Sequence, residues 1–178
     1  MKDLSESNIY KGRVIDVFCH EVELESGSKT IREVVRHQEG AAVVAINEQN
    51  EILLVKQYRF PVGQDIVELP AGLVDEGETP LQAAKRELKE ETGYVAEEWQ
   101  HLTSTYSSPG WQDEKVHIFA ARKLKQVSGQ ELDGDEIFTF YTEMFSHVLE
   151  KVNNGEITEA KTIIGVLLYW YRYNLKNS

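Results

Sequence analysis

Residues 40 to 59 set two nearly unbroken apolar runs, AAVVAI and EILLVKQYR, on either side of the polar turn NEQN. Runs of this kind predict a hairpin whose strands are covered on both faces. Residues 10 to 37 instead place apolar side chains at alternate positions, with Val17 and Cys19 on one side and Val22 and Leu24 further along. The turn-forming ESGSK interrupts them, so two or three half-buried strands are expected there. DIVELPAG reads as one further strand, ended by Pro70 and Gly72.

The period then changes from two to about 3.6. Thr79 suits a helix N-cap, Pro80 the first helical position, and Gln82 stands three residues after the cap, as a capping box requires. Gly93 follows the last periodic residue, where a left-handed C-terminal cap favours glycine. A strand near WQHLTSTY, a loop SSPGWQDE, a strand KVHIFAARKL, a polar loop KQVSGQELDGDE and a strand IFTFYT come next. Two helices close the chain. EMFSHVLEKVNN sets Met144, Val148, Leu149 and Val152 on one face. The other starts near Thr158 and is apolar almost all round from Ile163 to Trp170, which calls for burial in a core or an interface. Strands first, one helix in the middle and helices at the end give an α+β class.

On the central helix, Leu81, Ala84 and Leu88 share an apolar sector, whereas Gln82, Lys85 and Lys89 share a polar one. Glu87, Glu90 and Glu91 crowd beside the apolar sector, with small Ala83 on the same face leaving room above it. Like charges at these spacings cost an isolated helix roughly 0.2–0.5 kcal/mol per pair. A solvated surface helix would not gather its acids toward the protein and its lysines away from it. Clustered hard oxygens suit Mg²⁺ or Mn²⁺, which keep water and take their remaining ligands from substrate phosphates.

Composition narrows the partners. The chain has 178 residues, 41% of them hydrophobic and 28% charged, enough for a packed core. Its net charge of −11 repels nucleic acid and anionic membranes, so an anionic substrate needs a specific pocket. One cysteine, Cys19, excludes an intrachain disulfide and points to a reducing, cytoplasmic compartment. No signal-peptide core or spanning run is expected. The five histidines show no ligand spacing, and neither a paired nucleophile nor a Walker-type loop occurs.

Gly72, Glu78, Arg86, Glu87, Leu88, Glu90, Glu91 and Gly93 follow the order glycine, glutamate, then Arg-Glu-aliphatic-x-Glu-Glu-x-Gly, which resembles the Nudix box. Leaving aside the aliphatic Leu88, chance would fill the seven fixed positions about once in a hundred million trials, so coincidence is an inadequate account. Tyr94 departs from the aliphatic residue the pattern prefers. The resemblance implies a Nudix α/β/α sandwich with a mixed central sheet over residues 39–178, preceded by an N-terminal β-rich arm at 1–38. It implies metal ligation by Glu87, Glu90, Glu91 and the backbone carbonyl of Ala71, with Arg86 pairing with Glu78 to hold the loop. The cofactor implied is Mg²⁺, with Mn²⁺ as the alternative, and the reaction is attack of water on a nucleoside diphosphate linked to another group.

Flanking residues are similar to the ADP-ribose pyrophosphatase branch. Arg59 falls where that branch binds substrate, and Pro109 falls near its marker proline. Ser108 and Glu114 match substrate- or metal-facing positions. The arm of this branch is exchanged in a homodimer, which makes Arg32, Glu33 and Arg36 candidates for the partner's pocket; exposed strand charges would look the same. Val14 and Ile31 stand where some relatives place a tryptophan pair around adenine. For the general base, Glu136 in the acidic loop ranks first and Glu114 second, with Arg86 and Glu91 completing the catalytic set. Hydrolysis of ADP-ribose to AMP and ribose 5-phosphate is thus expected. The alternatives are another substrate, such as GDP-mannose or 8-oxo-dGDP, and a non-catalytic nucleotide-binding module.

Overall fold

The structure is a computed structural model that describes residues 1–127, 129 and 138–173. The chain divides into two compact units, one formed by Met1–Glu39 with Thr105–Lys115, the other by Gly40–Ser104 with Val116–Ser178.

The first unit carries three antiparallel strands in the order β1 (Lys2–Lys11), β2 (Asp16–Glu23) and β3 (Lys29–Arg36). Strand β1 has no apolar alternation to announce it, and nearly all of its residues are exposed. Its backbone ladder to β2, from Lys2↔Glu23 to Lys11↔Asp16, holds it in place. The buried positions of β2 are His20 and Val22, not the side bearing Val17 and Cys19. His20 Nδ1 meets the carboxylate of the more exposed Asp3 at 2.9 Å.

In the second unit, β4 (Gly40–Ala45) runs antiparallel to β7 (Ala71–Leu73) and parallel to β9 (Lys115–Gln126). With β8 (Tyr94–Tyr106) they form a mixed sheet in the order β7-β4-β9-β8. A second sheet has the order β10-β5-β6, from Phe138–Met144, Glu51–Arg59 and Gln64–Glu68. Three helices, α1 (Pro80–Thr92), α2 (Phe145–Asn153) and α3 (Ala160–Tyr173), cover the strands. Successive residues of β4 face opposite ways. Ala42 and Val44 pack with Val148 of α2 and Val166 of α3. Ala41, Val43 and Ala45 pack with Ala83, Ala84 and Leu88 of α1. Coverage on both sides is why this strand reads as continuous hydrophobicity instead of alternation. The result within this unit is a helix–sheet–helix layering.

Two sequence expectations are corrected, and a third is met on one face of its helix. DIVELPAG is two strands in different sheets, β6 pairing with β5 and β7 with β4. Pro70 has no N–H for a ladder, and its carbonyl accepts from Val43 N at 2.9 Å as the chain changes sheets. Met144 ends β10 and is 39% exposed, so Phe145 takes the buried place expected of it. Helix α3 is one-sided: Thr162, Gly165, Val166 and Tyr169 are buried, whereas Leu167, Trp170 and Tyr171 are exposed. Among the described residues no helix is long and apolar enough to cross a membrane.

Candidate active site

Helix α1 is fixed at both ends by local chemistry. Thr79 Oγ1 accepts from Gln82 N at 3.3 Å, and Gln82 Oε1 accepts from Thr79 N at 2.8 Å, so the capping box closes. Gly93 adopts φ 74° and donates its N–H to Lys89 O, a left-handed cap that a β-carbon would strain. Leu88 is fully buried. That burial contributes about 2 kcal/mol and sets the rotation of the helix, which presents Glu87 and Glu90 at the margin of the core and buries Glu91. Gln82, Lys85 and Lys89 lie on the exposed side. Ala83 leaves no room above it, because it is buried against Ala41 and Val43.

The loop between β7 and α1 is gathered by Arg86. Its Nε donates to Glu78 Oε1 at 3.2 Å, and its Nη2 donates to Glu78 Oε2 at 3.0 Å and to Leu73 O at 2.9 Å. Nη1 donates to Glu87 Oε1 at 2.6 Å and to Glu90 Oε2 at 3.1 Å. The Glu78 hydrogen bonds do most to raise the Arg86 pKa above its ordinary value, and the Arg86 hydrogen bonds hold the Glu78 carboxyl below its own. One guanidinium thus ties the loop, the helix and two of the three clustered acids together.

Strand β7 abuts those acids. Ala71 N donates to Glu91 Oε2 at 3.0 Å, and a β-carbon built on Gly72 would overlap the Glu87 carboxylate. The glycine therefore lets the strand backbone meet the head of Glu87. These are hard oxygen donors, and Nη1 of Arg86 already shows Glu87 and Glu90 converging on one positive centre. The set suits a divalent cation in kind. Among the described residues no three acidic, histidine or cysteine side chains stand as a ready-made metal cage; Arg86 Nη1 holds one oxygen of Glu87 and one of Glu90.

Arg59, at the end of β5, donates from Nε to Glu68 Oε1 at 2.5 Å and from Nη2 to Glu68 Oε2 at 2.8 Å. Glu68 was not among the residues singled out in the sequence. Its signal was a lone acid inside the apolar stretch IVEL.

The remaining candidates belong to the first unit. Arg36 Nη1 donates to Asp113 Oδ2 at 2.8 Å, and His37 N donates to Asp113 Oδ1 at 3.0 Å. Burial raises the Asp113 carboxyl, but the Arg36 and His37 hydrogen bonds outweigh it and leave the pKa below its usual value. Asp113 is a second acid that sequence reading missed. Glu114 Oε2 accepts from Ser107 Oγ at 2.5 Å and Gln112 Nε2 at 3.3 Å. Ser108 O accepts from Trp111 N and Gln112 N, turning the loop at exposed Pro109. Arg32 and Glu33 are exposed on β3, with Arg32 Nη1 donating to Ile31 O at 2.9 Å. Glu136 lies outside the described residues.

A family model described as NUDIX domain matches residues 36–171. The ADP-ribose pyrophosphatase of Bacillus subtilis (strain 168) is 39% identical over 166 residues, covering 93% of this chain and 90% of the relative. The methanol dehydrogenase activator of Bacillus methanolicus matches to the same extent, 39% over 166 residues, with the same 93% and 90% covered. Among solved structures, a crystal structure of an ADP compounds hydrolase superposes with a TM-score of 0.85 at 23% identity, covering 96% of this chain and 94% of its own; it shows the shared fold. With its glutamate helix, its Arg86-bound loop and a match across most of its length, the chain belongs to the NUDIX family.

Proposed function

We propose that this protein hydrolyses the pyrophosphate bond of ADP-ribose, giving AMP and ribose 5-phosphate, with Mg²⁺ as cofactor and Mn²⁺ as substitute. The observation that carries the reading is the convergence of Glu87 and Glu90 on Arg86 Nη1, beside a β7 backbone already bonded to Glu91. A relative of similar length at 39% identity that bears the name ADP-ribose pyrophosphatase supports the choice of substrate.

Glu87, Glu90, Glu91 and the Ala71 carbonyl would hold the cation. When bound, it supplies charge neutralisation at the diphosphate and a lower pKa for attacking water. The chain's residues do the rest. Arg86 fixes Glu87 and Glu90 against the loop through Glu78, so the ligands are oriented before substrate arrives. Arg59 offers a guanidinium suited to a phosphate oxygen. One water adds at phosphorus, the bridging P–O bond breaks, and the base takes the water's proton. Glu136 is the first candidate for that base and Glu114 the second.

Arg32, Glu33, Arg36, Ser108 and Pro109 complete the proposed substrate contacts, the arm residues acting across a homodimer. Exposed Ile9, Tyr10, Val14 and Ile31 in the first unit support a self-association surface. A monomeric mass by light scattering at micromolar concentration would remove the dimer.

Parallel turnover of ADP-ribose, GDP-mannose and 8-oxo-dGDP with Mg²⁺ tests the substrate. ADP-ribose is expected to have the highest kcat/KM. Preference for either of the others overturns the assignment, and no turnover of any leaves a nucleotide-binding module.

A further inference from the structure

Glu68 carries a buried charge that the reaction outlined above does not use. It closes β6, is 2% exposed, and accepts two hydrogen bonds from Arg59 and another from Lys161 Nζ on α3. A carboxylate removed from water is tolerated only when its partners replace the lost hydration. Burial pushes the Glu68 carboxyl up, but the Arg59 hydrogen bonds and the Lys161 charge outweigh it and hold the pKa below its usual value.

The exchange is not symmetrical. Both Glu68 oxygens are engaged, whereas the Arg59 side chain is 42% exposed and its Nη1 has no hydrogen-bond partner among the described residues. The Glu68 hydrogen bond is the main influence raising the Arg59 pKa; burial opposes it, and the charges of Glu159 and Glu91 add to it. The guanidinium therefore lies within electrostatic reach of the buried glutamate of α1. That same glutamate accepts from Ala71 N, three residues beyond Glu68.

The frame around Glu68 is itself tied down. Lys161 Nζ lies 3.2 Å from Glu159 Oε1. Glu159 caps α3 by accepting from Thr162 N at 2.9 Å and Thr162 Oγ1 at 2.7 Å. Thr162 Oγ1 accepts in turn from Leu69 N at 2.9 Å, the residue after Glu68. Helix α3 thus locks both the Glu68 carboxylate and the backbone leading to Ala71.

We propose that Glu68 is a positioning residue: braced by Lys161, it orients the Arg59 guanidinium so that the Nη1 edge faces a phosphate oxygen of the diphosphate substrate. This deepens the proposed function and rests on it. A plain structural ion pair would show itself in stability alone. A positioning pair shows itself in substrate affinity, and only while Arg59 is present.

The test is a double-mutant cycle read by calorimetric binding of ADP-ribose in EDTA, and by KM and kcat with Mg²⁺. Glu68→Gln keeps the shape but not the charge, and is expected to weaken Kd and raise KM about tenfold, with kcat changed less than about threefold. In an Arg59→Gln background the same change should alter Kd less than about twofold. Should Glu68→Gln fail to fold, Lys161→Gln carries the test, with a rise of about threefold that also vanishes without Arg59. Equal effects in both backgrounds, or a lowered Tm with wild-type Kd and KM, overturn the positioning role. Wild-type protein that neither binds nor cleaves ADP-ribose overturns the functional reading beneath it, a different result from either of those.

Discussion

Gly72 and Glu87 contend for one small volume: a β-carbon on the strand residue would overlap the carboxylate of the helix residue. The contact joins β7 to α1 where the acids gather. The obstructing group is the far end of a flexible side chain, so it can yield without disturbing the backbone. Gly72→Ala should therefore change stability by less than about 1 kcal/mol. The Glu87 carboxylate would leave its place beside Arg86 and Glu90. Misplacing an oriented group by about 1 Å is costly to rate, so kcat should fall about tenfold or more. Thermal unfolding and steady-state rates on the same preparation check this; an alanine variant as fast as the wild type would show that the close approach has no catalytic purpose.

Helix α1 was legible because its determinants are local. Thr79, Gln82 and Gly93 act on backbone groups within a turn of themselves, and Leu88 and Glu91 are separated by a fixed rotation. The double coverage of β4 was legible for a related reason, since a run without alternation has no exposed face to spare. Other features depend on distant partners. Strand β1 exists through its ladder to β2, which no periodicity in KDLSESNIYK announces. Glu68 takes its hydrogen bonds from Arg59 nine residues earlier and Lys161 93 residues later. Asp113 is likewise defined by Arg36, 77 residues away. Neighbouring residues carry no record of such partners, so these acids passed as ordinary polar positions.

The Arg86–Glu78 pair predicts a pH dependence whose sign can be worked out. Glu78 has a folded-state pKa below its ordinary value of 4.5, chiefly through the Arg86 hydrogen bonds. The unfolded chain therefore binds the proton more readily, and stability due to Glu78 is fully present above the ordinary value. It is lost as pH falls through the depressed folded-state value. Glu78 is partly solvated, so screening keeps the contribution to about 1 kcal/mol or less. Glu78→Gln should lower Tm at pH 7, and the gap to wild type should narrow as pH drops below 4.5. A gap that is constant with pH, measured by calorimetric unfolding, would show that the charge of Glu78 is not what holds the loop.

Glu91 is the most buried of the three clustered acids, 6% exposed, and it accepts from Ala71 N at 3.0 Å. A glutamine there keeps the shape and can still accept that hydrogen bond through its amide oxygen, so the helix and β7 should stay joined. It cannot supply the negative oxygen that a hard cation requires. Glu91→Gln should therefore leave Tm within a few degrees of wild type while turnover of ADP-ribose falls at least ~10²-fold, because metal ligands contribute several kcal/mol at the transition state. Calorimetric titration with Mg²⁺ or Mn²⁺, in the presence of a non-hydrolysable diphosphate, should show weaker ion uptake by the variant. The two readouts separate the causes. A rate loss with unchanged ion uptake would assign Glu91 to proton transfer or positioning, whereas loss of both follows only if its carboxylate is a ligand. Wild-type rates in the variant would contradict the proposed metal site, since the buried charge would then have no chemical purpose to offset its cost.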